Sequence, residues 1–203
     1  MLQHRGHRLA GRSVRLAVVA HAVLGAAEKF QLIDLLDGFV RPEQPKVLAS
    51  DIEVATSFNN AFSINDRTRT FLKVQDGCDY SCTFCTIPMA RGKSRSNTIE
   101  NVVKQAREIG QQGVKEIVLT GINLGDFGTT HQSSTNESKE NKENFYQLIQ
   151  QLENSDGPSR YRISSIEPNL LSNEIIELVS DSKKFMPHFH IPLQSGSNKI
   201  LGL

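Results

Sequence analysis

Phe71-Leu72-Lys73-Val74-Gln75-Asp76-Gly77-Cys78-Asp79-Tyr80-Ser81-Cys82-Thr83-Phe84-Cys85 is a strand that runs directly into a cysteine-bearing loop. The compact run Phe71 to Gln75 predicts a strand, and Asp76-Gly77 punctuates its end. All three cysteines of the 203-residue chain lie between Cys78 and Cys85. An odd, clustered set does not suggest a disulfide framework. It suggests a reducing compartment, the cytoplasm, where thiolates are kept for metal or redox chemistry.

Outward from this loop the chain alternates. Ile99, Val102, Val103, Ala106 and Ile109 recur at helical spacing, with Asn97 and Glu100 as an N-terminal cap and Gly110 or Gly113 as the stop. Glu116-Ile117-Val118-Leu119-Thr120 has the continuous apolar character of a parallel strand buried on both faces. The stretch Thr129 to Asn144 has no aliphatic or aromatic residue and predicts a loop without a core of its own. Phe145, Leu148, Ile149 and Leu152 predict a helix, and Tyr161 to Ile166 a strand. Ser172 caps a helix burying Ile175, Ile176 and Val179, and His188 to Leu193 predicts the fourth strand. A last helix starts near Asn198.

Strand and helix in alternation imply an α/β fold with a parallel sheet and right-handed crossovers. About four strands do not close a barrel, so the sheet is open or is the first part of a larger one. An end so soon inside a helix favours a truncated barrel. Such sheets build their sites where strands end. That edge collects the cysteine loop, Asn123, Ser165-Ile166-Glu167 and Gln194-Ser195-Gly196.

With 38% hydrophobic and 22% charged residues the composition is that of a globular protein, and the net charge of +1 excludes a global nucleic-acid footprint. Any RNA contact must be local. Arg91, Lys93 and Arg95 form one such basic patch, suited to RNA phosphates or to a carboxylate, or else simply a solvated loop. No apolar run reaches the roughly 18 residues that span a bilayer, so no membrane partner is expected. Residues 1–27 carry four arginines and no acid before an apolar stretch. They read as a targeting segment or as the start of a domain with a strand at Leu16 to Ala20. Glu28 to Phe39 predicts an amphipathic helix, and 41–69 a linker.

Closely spaced thiolates can converge on one centre, either zinc or an iron–sulfur cluster. Structural zinc wants a fourth ligand, and His131, His188 and His190 are distant in sequence. A cluster held by only three cysteines leaves one iron open, as catalytic metal sites keep a position for substrate.

The pattern Cys78-x3-Cys82-x2-Cys85, with Phe84 before the third cysteine, resembles the signature of the radical S-adenosylmethionine superfamily. Its flanks are similar to the tRNA methylthiotransferases of the MtaB type. These are Leu72 to Cys78, Ile87-Pro88-Met89-Ala90-Arg91-Gly92, Leu119-Thr120-Gly121-Ile122-Asn123-Leu124-Gly125 and Ile191-Pro192-Leu193-Gln194-Ser195-Gly196-Ser197. The resemblance implies a partial (β/α) barrel, a 4Fe-4S cluster on Cys78, Cys82 and Cys85, and S-adenosyl-L-methionine on the fourth iron. It places Phe84 near the adenine, and Gly121 and Asn123 where the methionine amino group is held, with Glu167 and Gln194 on the same rim. It assigns no catalytic side chain. The implied activity is methylthio transfer to C2 of N6-threonylcarbamoyladenosine beside the tRNA anticodon, fed by an electron donor, in a protein that is a monomer when complete. Residues 1–66 would be a remnant of an N-terminal domain plus linker, and 67–203 an incomplete radical core. The family's N-terminal domain carries three further cysteines, which this sequence lacks. Two rivals stand beside this reading: a radical enzyme with another substrate, and a non-enzymatic iron–sulfur or zinc module.

Overall fold

The computed structural model describes residues 8–9, 12–13, 21–37, 40, 43–44, 46–63, 69–129 and 143–202. The chain divides into two compact units, Met1–Val54 and Ala55–Leu203. In the first, β1 (Arg8–Leu9) and β2 (Arg12–Ser13) pair antiparallel. The strand expected at Leu16 to Ala20 lies outside the described residues. β3 (Ala22–Leu24) runs parallel to β4 (Lys46–Leu48). Between them the helical reading of Glu28 to Phe39 resolves into a 3-10 turn, Glu28–Gln31, and a short α1, Leu32–Leu36. The Glu28 carboxylate accepts from the backbone N–H and the hydroxyl of Ser50, tying the turn to the end of β4.

The second unit holds the sheet. β5 (Thr70–Lys73), β8 (Glu116–Thr120) and β9 (Arg160–Ile163) are parallel, in the order β5-β8-β9. The register sets Leu72 opposite Leu119, Leu119 opposite Ile163, and Ile117 opposite Tyr161. Because side chains alternate along a strand, these residues share one face, and all are buried. On that face pack α3 (Ile99–Gln111), α4 (Phe145–Asn154) and α5 (Asn173–Asp181), through Val102, Ala106, Ile109, Leu148, Ile149, Leu152, Ile175 and Val179. The opposite face carries Phe71, Lys73, Val118 and Arg162 and is less completely covered. β8 is buried along most of its length, as its continuous apolar run predicts.

The described residues of 41–69 are shaped more firmly than their weak periodicity suggests. Besides β4 they hold a 3-10 turn at Ile52–Val54. Phe62 bridges Leu72 antiparallel, and Asn60 accepts from the Asn97 amide at 2.9 Å. Pairing with β5 cannot be seen in local periodicity.

The fourth strand, expected at His188 to Leu193, is broken. Phe185 bridges Tyr161 and His190 bridges Ser165, both parallel to β9. Four steps along β9 thus face five along its neighbour, so one residue bulges out. Pro187 and Pro192 lie in this segment without N–H groups to give to a ladder. The backbone N–H of His188 turns back to the Met186 carbonyl at 2.7 Å. The last helix, α6, covers Asn198–Leu201.

Side-chain caps start α3 and α4, whereas Ser172, at the N-cap of α5 as expected, makes no side-chain cap bond. Thr98, not Asn97, caps α3 and accepts from the Asn101 N–H, while Asn97 accepts from Thr98 one residue earlier. Gly113, at φ +87°, provides the left-handed residue just beyond the α3 stop. At α4, Asn144 and Gln147 form a reciprocal capping box, at 2.9 and 3.0 Å. Asn144→Ala should lower stability by about 1 kcal/mol in a denaturant titration, because it orphans an N–H at the helix start. An unchanged midpoint would show that the box contributes nothing.

Candidate metal centre at the sheet rim

The cysteine loop leaves the sheet at a defined point. Val74 still donates to the Thr120 carbonyl at 2.9 Å, in line with β8. The chain then turns away, and β6 (Gln75–Asp76) pairs antiparallel with β7 (Arg95–Ser96). This short ladder clasps residues 77–94 at both ends. Gly77 stands at φ +72°, and a Cβ there would collide with the Lys93 carbonyl, so only glycine lets the two ends close. Further clasps are Cys78 N–H to the Gly92 carbonyl at 3.1 Å and Ser94 N–H to Asp79 Oδ1 at 2.9 Å. Inside the loop, α2 (Ile87–Arg91) starts with Pro88 in its first turn and closes on Gly92.

Asp76 anchors the clasp electrostatically. It is 2% exposed and meets Arg95 at 3.0 Å, Arg91 at 3.1 Å, Lys73 at 3.7 Å and its neighbour Gly77 N–H at 2.9 Å. Burial alone would raise its pKa. Arg95 first, then Arg91, Lys73 and the Gly77 N–H, outweigh that and hold it below the usual carboxylate value. Of the roles open to the basic patch, Arg91 and Arg95 therefore take the carboxylate. Arg95 is buried and also donates to the carbonyls of Ser57, Arg91 and Lys93, so it is not free for RNA phosphates. Lys93 is exposed.

The three thiols sit on the outer part of the loop. Cys82 is exposed, Cys78 and Cys85 are half-buried, and the Cys85 N–H donates to the Cys82 carbonyl at 3.1 Å. Burial pushes the Cys78 thiol up. The charges of Asp126, Cys82 and Cys85 act in the same direction, against the backbone N–H of Tyr80. Asp126 is itself pushed up, first by burial and also by Asp79 and Glu167, against its bond from Asn123. The negative charges of Asp79, Asp126 and Glu167 lie near enough to act on this side of the rim, where a bound cation would be favoured. Among the described residues no three His, Cys, Asp or Glu side chains are already arranged around a single ion. His188 and His190 are exposed, and His190 Nδ1 is taken up by the Ser165 hydroxyl at 2.7 Å. His131 lies outside the described residues. Among the described residues no histidine joins the three thiols, and three soft thiols on one loop fit a sulfide-bridged cluster with three protein ligands.

The other rim residues gather unequally. Asn123 is buried. Its amide donates to Asp126 Oδ2 at 3.0 Å, and its oxygen accepts from the Glu167 N–H at 3.4 Å. It joins the loop after β8 to the loop after β9, where Leu124 N–H also reaches the Ser165 carbonyl at 3.3 Å. Gly121 lies against Gln75, whose side chain a Cβ would press at 2.9–3.0 Å. Glu167 is half-buried and begins the 3-10 turn Pro168–Leu170. From that turn Asn169 donates to the Tyr80 hydroxyl at 2.9 Å, linking it to the cysteine loop. Phe84 is 75% exposed beside its cysteines. Gln194 is exposed at φ +63°, with Ser195 N–H on the Leu193 carbonyl at 2.7 Å. That is a γ-turn of the strained hand.

A model of the Radical SAM superfamily matches residues 72–203. The chain belongs to the radical SAM superfamily. Its rim loop is therefore the part of a radical SAM domain that carries the three cysteines. The threonylcarbamoyladenosine tRNA methylthiotransferase MtaB of Bacillus subtilis is 40% identical over 182 residues, which are 88% of this chain and 38% of that protein. The MtaB of Aquifex aeolicus is 36% identical, over 89% of this chain and 42% of its own. A tRNA-2-methylthio-N(6)-dimethylallyladenosine synthase of Thermodesulfovibrio yellowstonii is 35% identical, over 68% of this chain and 30% of its own. The radical SAM chain thus spans about four tenths of the length of the two MtaB relatives. No helix among its described residues is long and apolar enough to cross a membrane.

The sequence did not single out Gln75, Asp76, Asp79 or Asn169. A signal existed for the first two: an apolar strand that ends in a buried amide and a buried carboxylate directly before the loop.

Proposed function

We infer that this radical SAM chain is the radical-generating part of a cytoplasmic tRNA methylthiotransferase whose substrate is N6-threonylcarbamoyladenosine beside the anticodon. One observation carries the reading. The loop that bears the three cysteines is clasped to the ends of parallel strands, in a chain 40% identical to a protein named for that activity. Cys78, Cys82 and Cys85 would hold a 4Fe-4S cluster and leave its fourth iron for S-adenosylmethionine. When bound, these groups supply one-electron cleavage of the sulfonium carbon–sulfur bond, with an electron from a cellular donor.

The chain's own residues shape the space around that chemistry. Gly121 keeps the backbone after β8 close to Gln75. Asn123, engaged with Asp126 and the Glu167 N–H, holds two rim loops together and would present backbone polar groups to the cofactor. Phe84 offers an exposed ring to the adenine, and Gln194 a side chain from the fourth loop. Residues 67–203 would form the radical core, and 1–66 the end of a preceding domain.

The test is anaerobic reconstitution with iron and sulfide, followed by S-adenosylmethionine and a one-electron reductant. Release of 5′-deoxyadenosine is expected. It should increase with an anticodon stem-loop bearing threonylcarbamoyladenosine, more than with the dimethylallyl-modified or unmodified loop. Equal response to all three would overturn the substrate, and no 5′-deoxyadenosine would overturn the reaction class.

A further inference from the structure

Gln75 has no assigned role, yet it is the polar centre of the rim. It is 0% exposed, and its side chain has five hydrogen-bonding partners, the two N–H hydrogens being shared among three acceptors. Its amide nitrogen donates to the Gly77 carbonyl at 2.8 Å, the Ser94 hydroxyl at 3.0 Å and the Asp76 carbonyl at 3.2 Å. These groups are the two ends of the cysteine loop. Its amide oxygen accepts from the N–H groups of Ile122 at 2.8 Å and Asn123 at 3.0 Å, in the loop after β8. A glutamine is the right size and has the right polarity for this: donor toward one loop, acceptor toward the other. Hydrophobic packing cannot replace it, since the partners are backbone groups of irregular segments that a buried site must satisfy. The absence of a Cβ at Gly121 allows the close approach.

We propose that Gln75 is a positioning residue: it fixes the cysteine loop against the Gly121-Ile122-Asn123 loop, and so sets the gap that S-adenosylmethionine must bridge. The latch is a property of the chain alone. Its consequence for the cofactor rests on the reading under Proposed function. Asp76 and Gly77 hold the loop closed upon itself, whereas Gln75 joins both loop ends to the next rim segment through one side chain.

Two variants of the full chain divide the two halves of the amide. Gln75→Met keeps the volume and removes both halves. Gln75→Glu keeps the acceptor and, when ionised, loses the donor. In the chain without cofactor, amide hydrogen exchange at Ile122 and Asn123 should be slow in the parent. It should rise about tenfold or more in Gln75→Met and much less in Gln75→Glu. Alkylation of half-buried Cys78 should quicken in both. After reconstitution, Gln75→Met should bind as much iron as the parent, because the thiols are intact. The S-adenosylmethionine concentration that half-shifts its cluster spectrum should rise about tenfold. A residue that merely supports the fold would lower the melting temperature and leave that half-saturation unchanged. Fast exchange at Ile122 and Asn123 in the parent itself would overturn the latch without any variant having to fold. A latch that passes the exchange test, in a parent that binds no cluster, would sink the proposed chemistry and leave the latch standing. Parent-like half-saturation in Gln75→Met would overturn the positioning role.

Discussion

Cys82→Ala should reduce reconstituted iron and sulfide by roughly tenfold or more while leaving the fold in place. The two effects separate because of where the residue sits. Cys82 is exposed at the outer turn of the loop, whereas the loop's closure resides in β6–β7, Gly77, Asp76 and the Gly92 carbonyl. Removing an exposed side chain away from such features costs within about 0.5 kcal/mol. Cys85→Ala should behave in the same way for the cluster. Cys78→Ala should also lose the cluster, with a larger stability cost, because it is half-buried beside the clasp. Iron and sulfide analysis with a denaturant titration of each cofactor-free variant reads both quantities. Full cluster retention in Cys82→Ala would mean that the ligand set is wrong.

Asp76→Ala should destabilise the second unit by about 3–5 kcal/mol, the usual cost of stranding a buried charge. Arg95, 4% exposed, would lose its carboxylate partner and, among the described residues, keep carbonyl partners. Arg91, 46% exposed, would relax into solvent at little cost, and Lys73 keeps its place over the Phe58 ring. The same pair predicts a pH dependence. The folded pKa of Asp76 lies below its unfolded value, so the unfolded chain binds the proton more readily. Its contribution is therefore complete above the unfolded carboxylate pKa and is lost as pH falls through the folded one. Asp76→Asn should show a shallower acid decline than the parent as well as lower stability at neutral pH. Parent-like stability of both variants in a denaturant titration would remove the clasp from the forces that hold the loop.

The regular parts of the second unit were legible because each rests on local pattern. Ile99 to Ile109, the Glu116 to Thr120 run and the Phe145 to Leu152 spacing all become the expected elements. The rim polar network was not. Gln75 meets residues 47 and 48 positions away, and Asn60 meets Asn97 across 37, so these bonds depend on which loops the sheet brings together. Arg95 shows the same limit from the other side. In the sequence it is one of three cations in a short stretch, and only its carboxylate partner reveals that it is buried. The fourth strand failed as a regular element partly for a reason the sequence already held, Pro187 and Pro192, and partly because of a bulge that only the pairing with the neighbouring strand reveals. The clustering of Cys78, Cys82 and Cys85 is read straight from their spacing, and the structure adds that they sit on the outer part of one clasped loop.

Electron paramagnetic resonance of the anaerobically reconstituted, reduced chain, recorded before and after addition of S-adenosylmethionine, bears most directly on whether this rim holds a cluster with an open iron. The expected result is a 4Fe-4S signal whose g-values shift on addition, and which disappears in Cys82→Ala. A signal indifferent to S-adenosylmethionine, or a chain that takes up zinc and no cluster, would contradict it.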